Sequence, residues 1–176
     1  MQHAIRPNYV TEEEFLALPE TADKVELIDG EVFMAPSPTF QHQYISANLL
    51  TALRLWARTT NAHAVSAPLD IRFGPGRIAQ PDLMVFLGPV DFHQLPVERI
   101  PELCIEILSP TNRSYDTLTK RFVYGAAGVT EYWIIDPRGR AEKWTGPNLT
   151  EGAAVIDALE SGLLPGFRLA LAELFV

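Results

Sequence analysis

The sequence is poor in cysteine and in long apolar runs, and both absences exclude classes of protein. Its single cysteine, Cys104, cannot form an internal disulfide or a zinc site built from several thiolates. No stretch approaches the ~18 uninterrupted apolar residues that a membrane-spanning helix needs. Residues 1–7 lack the apolar run of a secretory signal. We therefore expect a cytoplasmic protein.

Motifs of several common enzyme classes are also missing. The sequence has no glycine-rich loop that would cradle a phosphate and no Gly-x-Ser-x-Gly elbow for a serine nucleophile. Its four histidines lack the close spacing of a histidine-rich zinc centre. The candidates for chemistry are therefore acidic and basic side chains.

The composition is that of a globular domain with an acidic surface. Apolar residues make up 47% of the 176 residues and charged residues 20%, which is enough apolar material for a core. Asp and Glu outnumber Lys and Arg by 22 to 14, so the formal net charge is −8. This sign repels phosphate backbones at long range. A protein of this charge that acts on nucleic acid needs a local basic patch or bound cations.

The order of helical and strand patterns predicts an α/β domain with a mixed sheet flanked by helices. Residues 83–87 and 103–108 are apolar at nearly every position, which is typical of central strands covered on both faces. The expected elements are a short helix from Thr11 ending before Pro19, a hairpin over 24–34 turning at Asp29-Gly30, a long helix over about 39–60, strands at 67–73, 83–87 and 103–108, a helix between 113 and 127, a strand pair at 131–136 and 140–145, and a final short helix near 169–175.

Glu106 is the one charged residue in the apolar run 103–108. An unpaired carboxylate in a buried strand costs several kcal/mol, so it must be neutralised by a proton, a cation or a basic side chain. A structural ion pair and a metal site both satisfy this requirement. The sequence leaves the two readings open.

Asp82 follows Pro81 at the start of the strand 83–87. Alone, an Asp after a Pro is more often part of a turn than of a functional site. If the strands at 83–87 and 103–108 are neighbours, however, Asp82 and Glu106 can converge on one hard cation. Carboxylate oxygens, a backbone carbonyl and water suit magnesium or manganese.

Lys120 lies on the helix expected between 113 and 127. An apolar stripe of this helix holds Tyr115, Leu118, Phe122 and Ala126, while Lys120 shares a half-apolar stripe that can point into the protein. The alternative is a surface pair of Asp116 with Lys120, worth only ~0.3–0.5 kcal/mol.

Two further polar residues occupy positions that can be buried. Glu26 shares a strand face with Ile28, although a solvent-facing hairpin edge is an equal alternative. His42 precedes Ile45 by three residues on the apolar stripe of the long helix, where a hydrogen-bonded core histidine is the more common role.

Six motifs occur in an order that resembles a known family. They are Glu26-Leu27-Ile28-Asp29-Gly30-Glu31, Ser37-Pro38 with His42-Gln43, Gln80-Pro81-Asp82, Glu106-Ile107-Leu108-Ser109-Pro110, Asp116 with Lys120 and Tyr124, and Gly128-Val129-Thr130-Glu131-Tyr132-Trp133-Ile134-Ile135-Asp136-Pro137. Together they are similar to the Uma-two family of restriction-endonuclease-like proteins, a branch of the PD-(D/E)XK nuclease superfamily. The similarity runs from about Thr11 to Pro137, and Leu164-Pro165-Gly166 with the final helix fits as well.

The resemblance implies a restriction-endonuclease-like core, a mixed β-sheet flanked by α-helices, in a single domain over residues 1–176. Its expected parts are an N-terminal helix and hairpin at 11–35, a core at 39–137, and a C-terminal strand and short helix at 138–176. The resemblance also implies DNA as the partner and a homodimer as the assembly.

The same resemblance implies a site for Mg²⁺, with Mn²⁺ as a substitute. The expected metal ligands are Asp82, Glu106 and the backbone carbonyl of Ile107. The expected catalytic residues are Glu26, Asp82, Glu106 and Lys120. Superfamily members usually carry a lysine two residues after the second acid, but Leu108 stands there, and Lys120 is the matching residue. His42 and Tyr124 match family positions without an assigned role.

The leading functional hypothesis is a Mg²⁺-dependent endonuclease that hydrolyses DNA phosphodiester bonds. A carboxylate-held metal polarises water and phosphate, and a nearby lysine stabilises the developing charge. One alternative is a catalytically silent binding module, and another is a metal-dependent hydrolase of a different phosphate ester. Six arginines would supply backbone contacts if they shared a face: Arg54, Arg58, Arg72, Arg77, Arg113 and Arg121.

Overall fold

A computed structural model describes residues 9–19, 21, 23–109 and 115–175. The elements are α1 (Glu12–Leu16), β1 (Lys24–Ile28), β2 (Glu31–Ala35), α2 (Phe40–Ala57), β3 (Ala62–Ser66), β4 (Ile71–Gly74), β5 (Arg77–Ala79), β6 (Leu83–Leu87), β7 (Leu103–Ile107), a π-helical segment (Tyr115–Lys120), α3 (Arg121–Ala127), β8 (Glu131–Asp136), β9 (Arg140–Thr145), a 3₁₀ turn (Pro147–Leu149), β10 (Glu151–Val155), β11 (Ala158–Glu160), β12 (Arg168–Ala170) and α4 (Leu171–Leu174). In this part of the chain, no helix has the length and apolar character to cross a bilayer.

The main sheet has six strands in the order β10-β9-β8-β7-β6-β3. Strands β7 and β8 run parallel, whereas the other neighbouring strands of this sheet are antiparallel. A second, antiparallel sheet has the order β2-β1-β5-β4, and β11 pairs with β12. The prediction of a mixed sheet flanked by helices is confirmed.

The central strands are buried on both faces, as their continuous apolar pattern predicted. On β6, Leu83 and Val85 belong to the apolar cluster beneath α2, whereas Met84 and Phe86 belong to the cluster beneath α3. Strand β7 is buried along its whole length. Because successive strand residues face opposite sides, β6 and β7 need apolar partners on both.

The N-terminal predictions are also confirmed. The Thr11 hydroxyl accepts a hydrogen bond from the Glu14 amide at 3.2 Å, and the Glu14 carboxylate accepts one from the Thr11 amide at 2.8 Å, which is a complete capping box. The hairpin turns at Asp29 and Gly30, both at positive φ. The predicted long helix is α2.

Several other boundaries were predicted wrongly. The strand expected at 67–73 is confined to Ile71–Gly74, and the short strands β3 and β5 were not predicted. The tail from 138 holds β9, β10, β11, β12 and α4 rather than one strand and a helix, and Leu169 lies in a strand. Strand β3 pairs with β6 and strand β5 pairs with β1, both distant in the sequence, and such partners leave little local sequence signal.

The helix expected between 113 and 127 is irregular at its start. Residues 113 and 114 lie outside the described residues, 115–120 form π-helical turns, and an α-helix begins only at Arg121. The apolar stripe is not the buried one, because Leu118 and Phe122 are 61% and 62% exposed. The opposite stripe, with Lys120 and Val123, is buried, as the sequence allowed for Lys120. Helical spacing therefore groups these side chains correctly, but the face that packs inward is the one that carries Lys120, which pairs there with Glu26 and Glu106.

Gly125 fixes how closely α3 approaches the 3₁₀ turn. A Cβ atom added there would lie 2.5 Å from the backbone oxygen of Asn148. We expect Gly125→Ala to lower the free energy of unfolding by about 1–3 kcal/mol, because overpacking outweighs the better helix propensity of alanine. Urea denaturation measures this difference.

The control is Gly162→Ala, where an added Cβ would meet nothing within 4 Å. This variant is expected to change stability by less than about 0.5 kcal/mol. A Gly125→Ala protein as stable as the wild type would contradict the close approach of α3 to the turn.

Candidate active site

The pairing of β6 with β7 brings Asp82 and Glu106 together. Leu83 pairs with Ile105 in antiparallel register, so the next pair outward is Asp82 and Glu106. Both acids share the strand face of Met84 and Cys104, which is the face that α3 covers. The convergence that the sequence made conditional on neighbouring strands is therefore present.

These acids border a cleft of about 940 Å³. Its walls come from the β1–β2 hairpin, the first turns of α2, the ends of β6, β7 and β8, and the π-helical segment. The four predicted catalytic residues, Glu26, Asp82, Glu106 and Lys120, all line it, as do His42 and Ile107.

Asp82 is held by three donors. Its Oδ2 accepts hydrogen bonds from the Ile107 amide at 2.8 Å and from His42 Nε2 at 3.1 Å, and Lys24 Nζ lies 2.8 Å from Oδ1. Burial alone would raise the pKa of Asp82, but Lys24 and then His42 outweigh burial and hold this pKa well below its usual range. Asp82 is therefore a carboxylate at neutral pH.

Glu106 is 1% exposed and is compensated as its burial requires. Lys120 Nζ lies 2.8 Å from Oε1, and the Tyr124 hydroxyl donates to the same oxygen at 2.6 Å. Burial, followed by the negative charge of Glu106, raises the pKa of Tyr124 well above its usual value. Tyr124 therefore keeps its proton and orients the carboxylate.

Glu26 is 2% exposed, which settles the alternatives for this residue in favour of burial. Its Oε1 accepts from the Gln80 amide at 2.7 Å and lies 3.0 Å from Lys120 Nζ. Its Oε2 accepts from the Tyr115 hydroxyl at 3.1 Å. Lys120 thus links Glu26 of the smaller sheet to Glu106 of the main sheet.

Lys120 is buried, so it is not part of a surface ion pair. Its side chain is 1% exposed and its ammonium group lies between two carboxylates, whereas the side chain of Asp116 lies outside the described residues. Leu108, at the usual lysine position of the superfamily, is buried in the apolar cluster beneath α3. The lysine that contacts the acids therefore comes from the π-helical segment and not from strand β7.

The donor set fits a hard cation in part. Within the described residues, no three Asp, Glu, His or Cys side chains form a ready metal cluster. Two carboxylates do converge on one positive centre, because Lys24 Nζ lies 2.8 Å from Asp82 Oδ1 and 3.5 Å from Glu106 Oε2. Magnesium is commonly held by one or two carboxylates and completes its shell with water. The carbonyl of Ile107 as a further ligand stays a prediction.

Sequence reasoning missed three contributors to the site: Lys24, Gln80 and Tyr115. Lys24 and Glu26 are two residues apart on β1, so they share a face, and this spacing was a usable signal. Gln80 lies inside a quoted motif but acts through its backbone amide. Tyr115 stacks on Phe33 of the hairpin, with ring centroids 4.4 Å apart, a contact that no local pattern indicates.

The six arginines considered for phosphate contacts do not gather at the cleft. Arg72 pairs with Glu12 and Glu98, and Arg77 pairs with Asp29. Arg113 lies outside the described residues, and none of the other five lines the cleft. The arginine that does line it is Arg138, which pairs with Asp136.

Comparisons with known proteins agree with this geometry. The model of the Uma2 (Uma-two) family, described as "Putative restriction endonuclease", matches residues 12–172. The chain belongs to the Uma2 family. It is also similar to the crystal structure of a "putative nuclease belonging to DUF820" from Anabaena variabilis, with 26% identity and a TM-score of 0.79 over 94% of this chain and 97% of that one. A search of curated proteins found no match.

This membership confirms the resemblance read from the six motifs, and the similarity to the Anabaena variabilis nuclease confirms the fold class. The family is one of restriction-endonuclease-like nucleases.

The low pKa of Asp82 predicts a pH-dependent contribution to stability. We expect Asp82→Asn to lower the free energy of unfolding at pH 7 by about 2–3 kcal/mol. Breaking a fully buried ion pair costs ~3–5 kcal/mol, but here Lys24 is partly exposed and still has Glu106 as an ion-pair partner. Because folding lowers the pKa of Asp82, its carboxylate stabilises the native state at pH values above 3.8, the ordinary pKa of the group in the unfolded chain. This stabilisation is lost as the pH falls below that value.

Urea denaturation at pH 7, 5 and 3 measures the gap between wild type and variant. The gap should be equal at pH 7 and 5 and smaller at pH 3. Asp157→Asn, at an exposed position, is the control and should show no gap. A gap that widens toward pH 3 would contradict the direction assigned to the Asp82 pKa.

Proposed function

We propose that this protein is a Mg²⁺-dependent endonuclease that hydrolyses DNA phosphodiester bonds, with Mn²⁺ as a substitute metal. Membership of the Uma2 family and similarity to a protein described as a nuclease support the reaction class. The observation that carries the proposal is the convergence of Asp82 and Glu106 on one positive centre at the floor of the cleft.

Asp82 and Glu106, with the carbonyl of Ile107, would hold the metal. When bound, it supplies Lewis acidity that makes a water more acidic and neutralises charge on the phosphoryl oxygens. A bound cation also reverses the local field in a protein whose net charge is −8, and so permits a polyanion to approach.

The remaining residues orient the acids and balance their charge. His42 and the Ile107 amide hold one oxygen of Asp82, and Tyr124 holds one oxygen of Glu106. These donors restrict the carboxylates to one orientation before substrate binds, which is the purpose of outer-shell partners at metal sites. Lys120 supplies fixed positive charge beside both Glu106 and Glu26.

Glu26 is the acid best placed to assist an attacking water. It borders the cleft beside Asp82 and Glu106, and it approaches them from the smaller sheet. It is not one of the two acids proposed to hold the metal. Donors from Gln80, Tyr115 and Lys120 keep it oriented. It completes the site either directly or through a water molecule.

The rim of the cleft suits a polar substrate without a strong basic track. Neutral hydrogen-bonding side chains line it: Ser37, Gln41, Gln43, Ser46, Ser66 and Ser109. Affinity for DNA would therefore depend more on the bound metal and a few cations than on a continuous basic surface. Cleavage of both strands would require two copies of the site, so we propose a homodimer as the active form.

Asp82→Asn and Glu106→Gln should each reduce plasmid nicking in Mg²⁺ or Mn²⁺ by at least about 100-fold, more than the loss of an outer-shell partner causes. Each substitution removes a metal-binding charge while keeping the size of the side chain. Conversion of supercoiled plasmid to open-circular and linear forms measures the rate.

Asp157→Asn and Glu173→Gln make the same chemical changes at exposed positions and should cut at the wild-type rate. Absence of cleavage with either metal would contradict the nuclease and favour a silent binding module. Hydrolysis of bis-p-nitrophenyl phosphate without cleavage of DNA would instead indicate a hydrolase of another phosphate ester.

A further inference from the structure

Lys24 occupies the gap between the two acids proposed as metal ligands. It is the first residue of β1, and its ammonium group lies 2.8 Å from Asp82 Oδ1 and 3.5 Å from Glu106 Oε2. Its side chain is 20% exposed, whereas that of Lys120 is 1% exposed. Of the two lysines at the site, Lys24 is therefore the one with access to the cleft.

The site needs this positive charge when no metal is bound. Lys120 lies between Glu26 and Glu106, and Lys24 lies between Glu106 and Asp82, so a lysine separates each successive pair of acids. Without Lys24, two carboxylates would face each other with little water between them, where repulsion between like charges is strong.

A divalent metal and the Lys24 ammonium cannot share this gap. Magnesium bonds to carboxylate oxygens at about 2.0–2.1 Å, so an ion held by both acids would occupy the space that Nζ fills. Two positive centres at that separation also repel each other. Binding of the metal therefore requires Lys24 to leave.

The displaced ammonium group of Lys24 can move into the cleft. Lys24 lines the cleft, and a lysine side chain has a long, flexible stem that keeps its charged end in water. The other lysine and the arginine that line the cleft are already beside acids, Lys120 with Glu26 and Glu106 and Arg138 with Asp136. Lys24 would lose its acid partners to the metal and would then present a positive charge to the substrate phosphates.

We propose that Lys24 is an exchangeable counter-ion of the active site: a divalent metal displaces its ammonium group from Asp82 and Glu106, and the displaced group then binds a phosphate of the DNA substrate. This proposal rests on the proposed metal-dependent function. It assigns Lys24 two opposite effects, one against the metal and one in favour of the substrate.

The first test is Mn²⁺ binding by calorimetry, without substrate. Lys24→Met removes the competing charge and should bind Mn²⁺ about tenfold more tightly than the wild type, which corresponds to one unit of pKd or ~1.4 kcal/mol. Lys24→Arg keeps the charge and should gain no affinity. Lys143→Met makes the same change at the one lysine outside the site and should match the wild type.

The second test is binding of a fluorescein-labelled DNA duplex in saturating Ca²⁺, followed by fluorescence anisotropy. Lys24→Met should bind the duplex several-fold more weakly than the wild type. The slope of log Kd against log salt should fall by about one, because one phosphate contact is lost. A merely structural lysine would not change this slope.

The outcomes separate this proposal from the proposed function. Equal Mn²⁺ affinity in wild type and Lys24→Met overturns the exchange and leaves the nuclease standing, and so does an unchanged salt slope. Absence of Mn²⁺ binding in both proteins overturns the two together. Circular dichroism checks the fold of each variant, and Lys24→Gln, which keeps a polar side chain, takes the place of Lys24→Met if that variant does not fold.

Discussion

The structure depends on the neutralisation of three carboxylates that meet where the smaller sheet approaches the end of the buried β6–β7 pair. Glu26, Glu106 and Asp82 would repel one another if they were not separated by Lys120 and Lys24, at distances of 2.8–3.5 Å. Burying such an alternating row of charges costs free energy. Apolar residues of similar volume at these positions would often give a protein of equal or greater stability. Its position in a cleft makes it the candidate functional site of the molecule.

The five residues of this row come from three separate parts of the chain, so the fold is what assembles it. The β6–β7 pair supplies Asp82 and Glu106, the hairpin of the smaller sheet supplies Lys24 and Glu26, and the π-helical segment supplies Lys120. In this segment Lys120 faces inward and Leu118 is exposed. Irregular turns of this kind are frequently found at functional sites, where an inward-facing polar group is needed at the expense of regular packing.

Much of this was predictable because the relevant signals are local. The capping box at Thr11, the turn at Asp29-Gly30 and the two-sided burial of β6 and β7 depend on residues near one another in the chain. Glu106 stood out for a thermodynamic reason, since one acid in an apolar strand needs a partner. The family motifs placed Lys120 at the site, but Lys24 was missed, and the contacts of Glu106 with Lys24, Lys120 and Tyr124 come from three separate elements that no local pattern brings together.

The sequence by itself determined the fold class, the family and the set of acids at the site, because hydrophobic periodicity and ordered motifs are properties of the linear chain. Only the tertiary structure decided which charges touch. Strand register places Asp82 opposite Glu106, and the packing of the segment Tyr115–Lys120 against the two sheets turns Lys120 inward. The hairpin brings Lys24 to the same point. Contacts between residues this far apart in the sequence depend on the register of the strands and on the rotation of each helix about its axis. The same local pattern is compatible with several registers and rotations, so it does not determine these contacts.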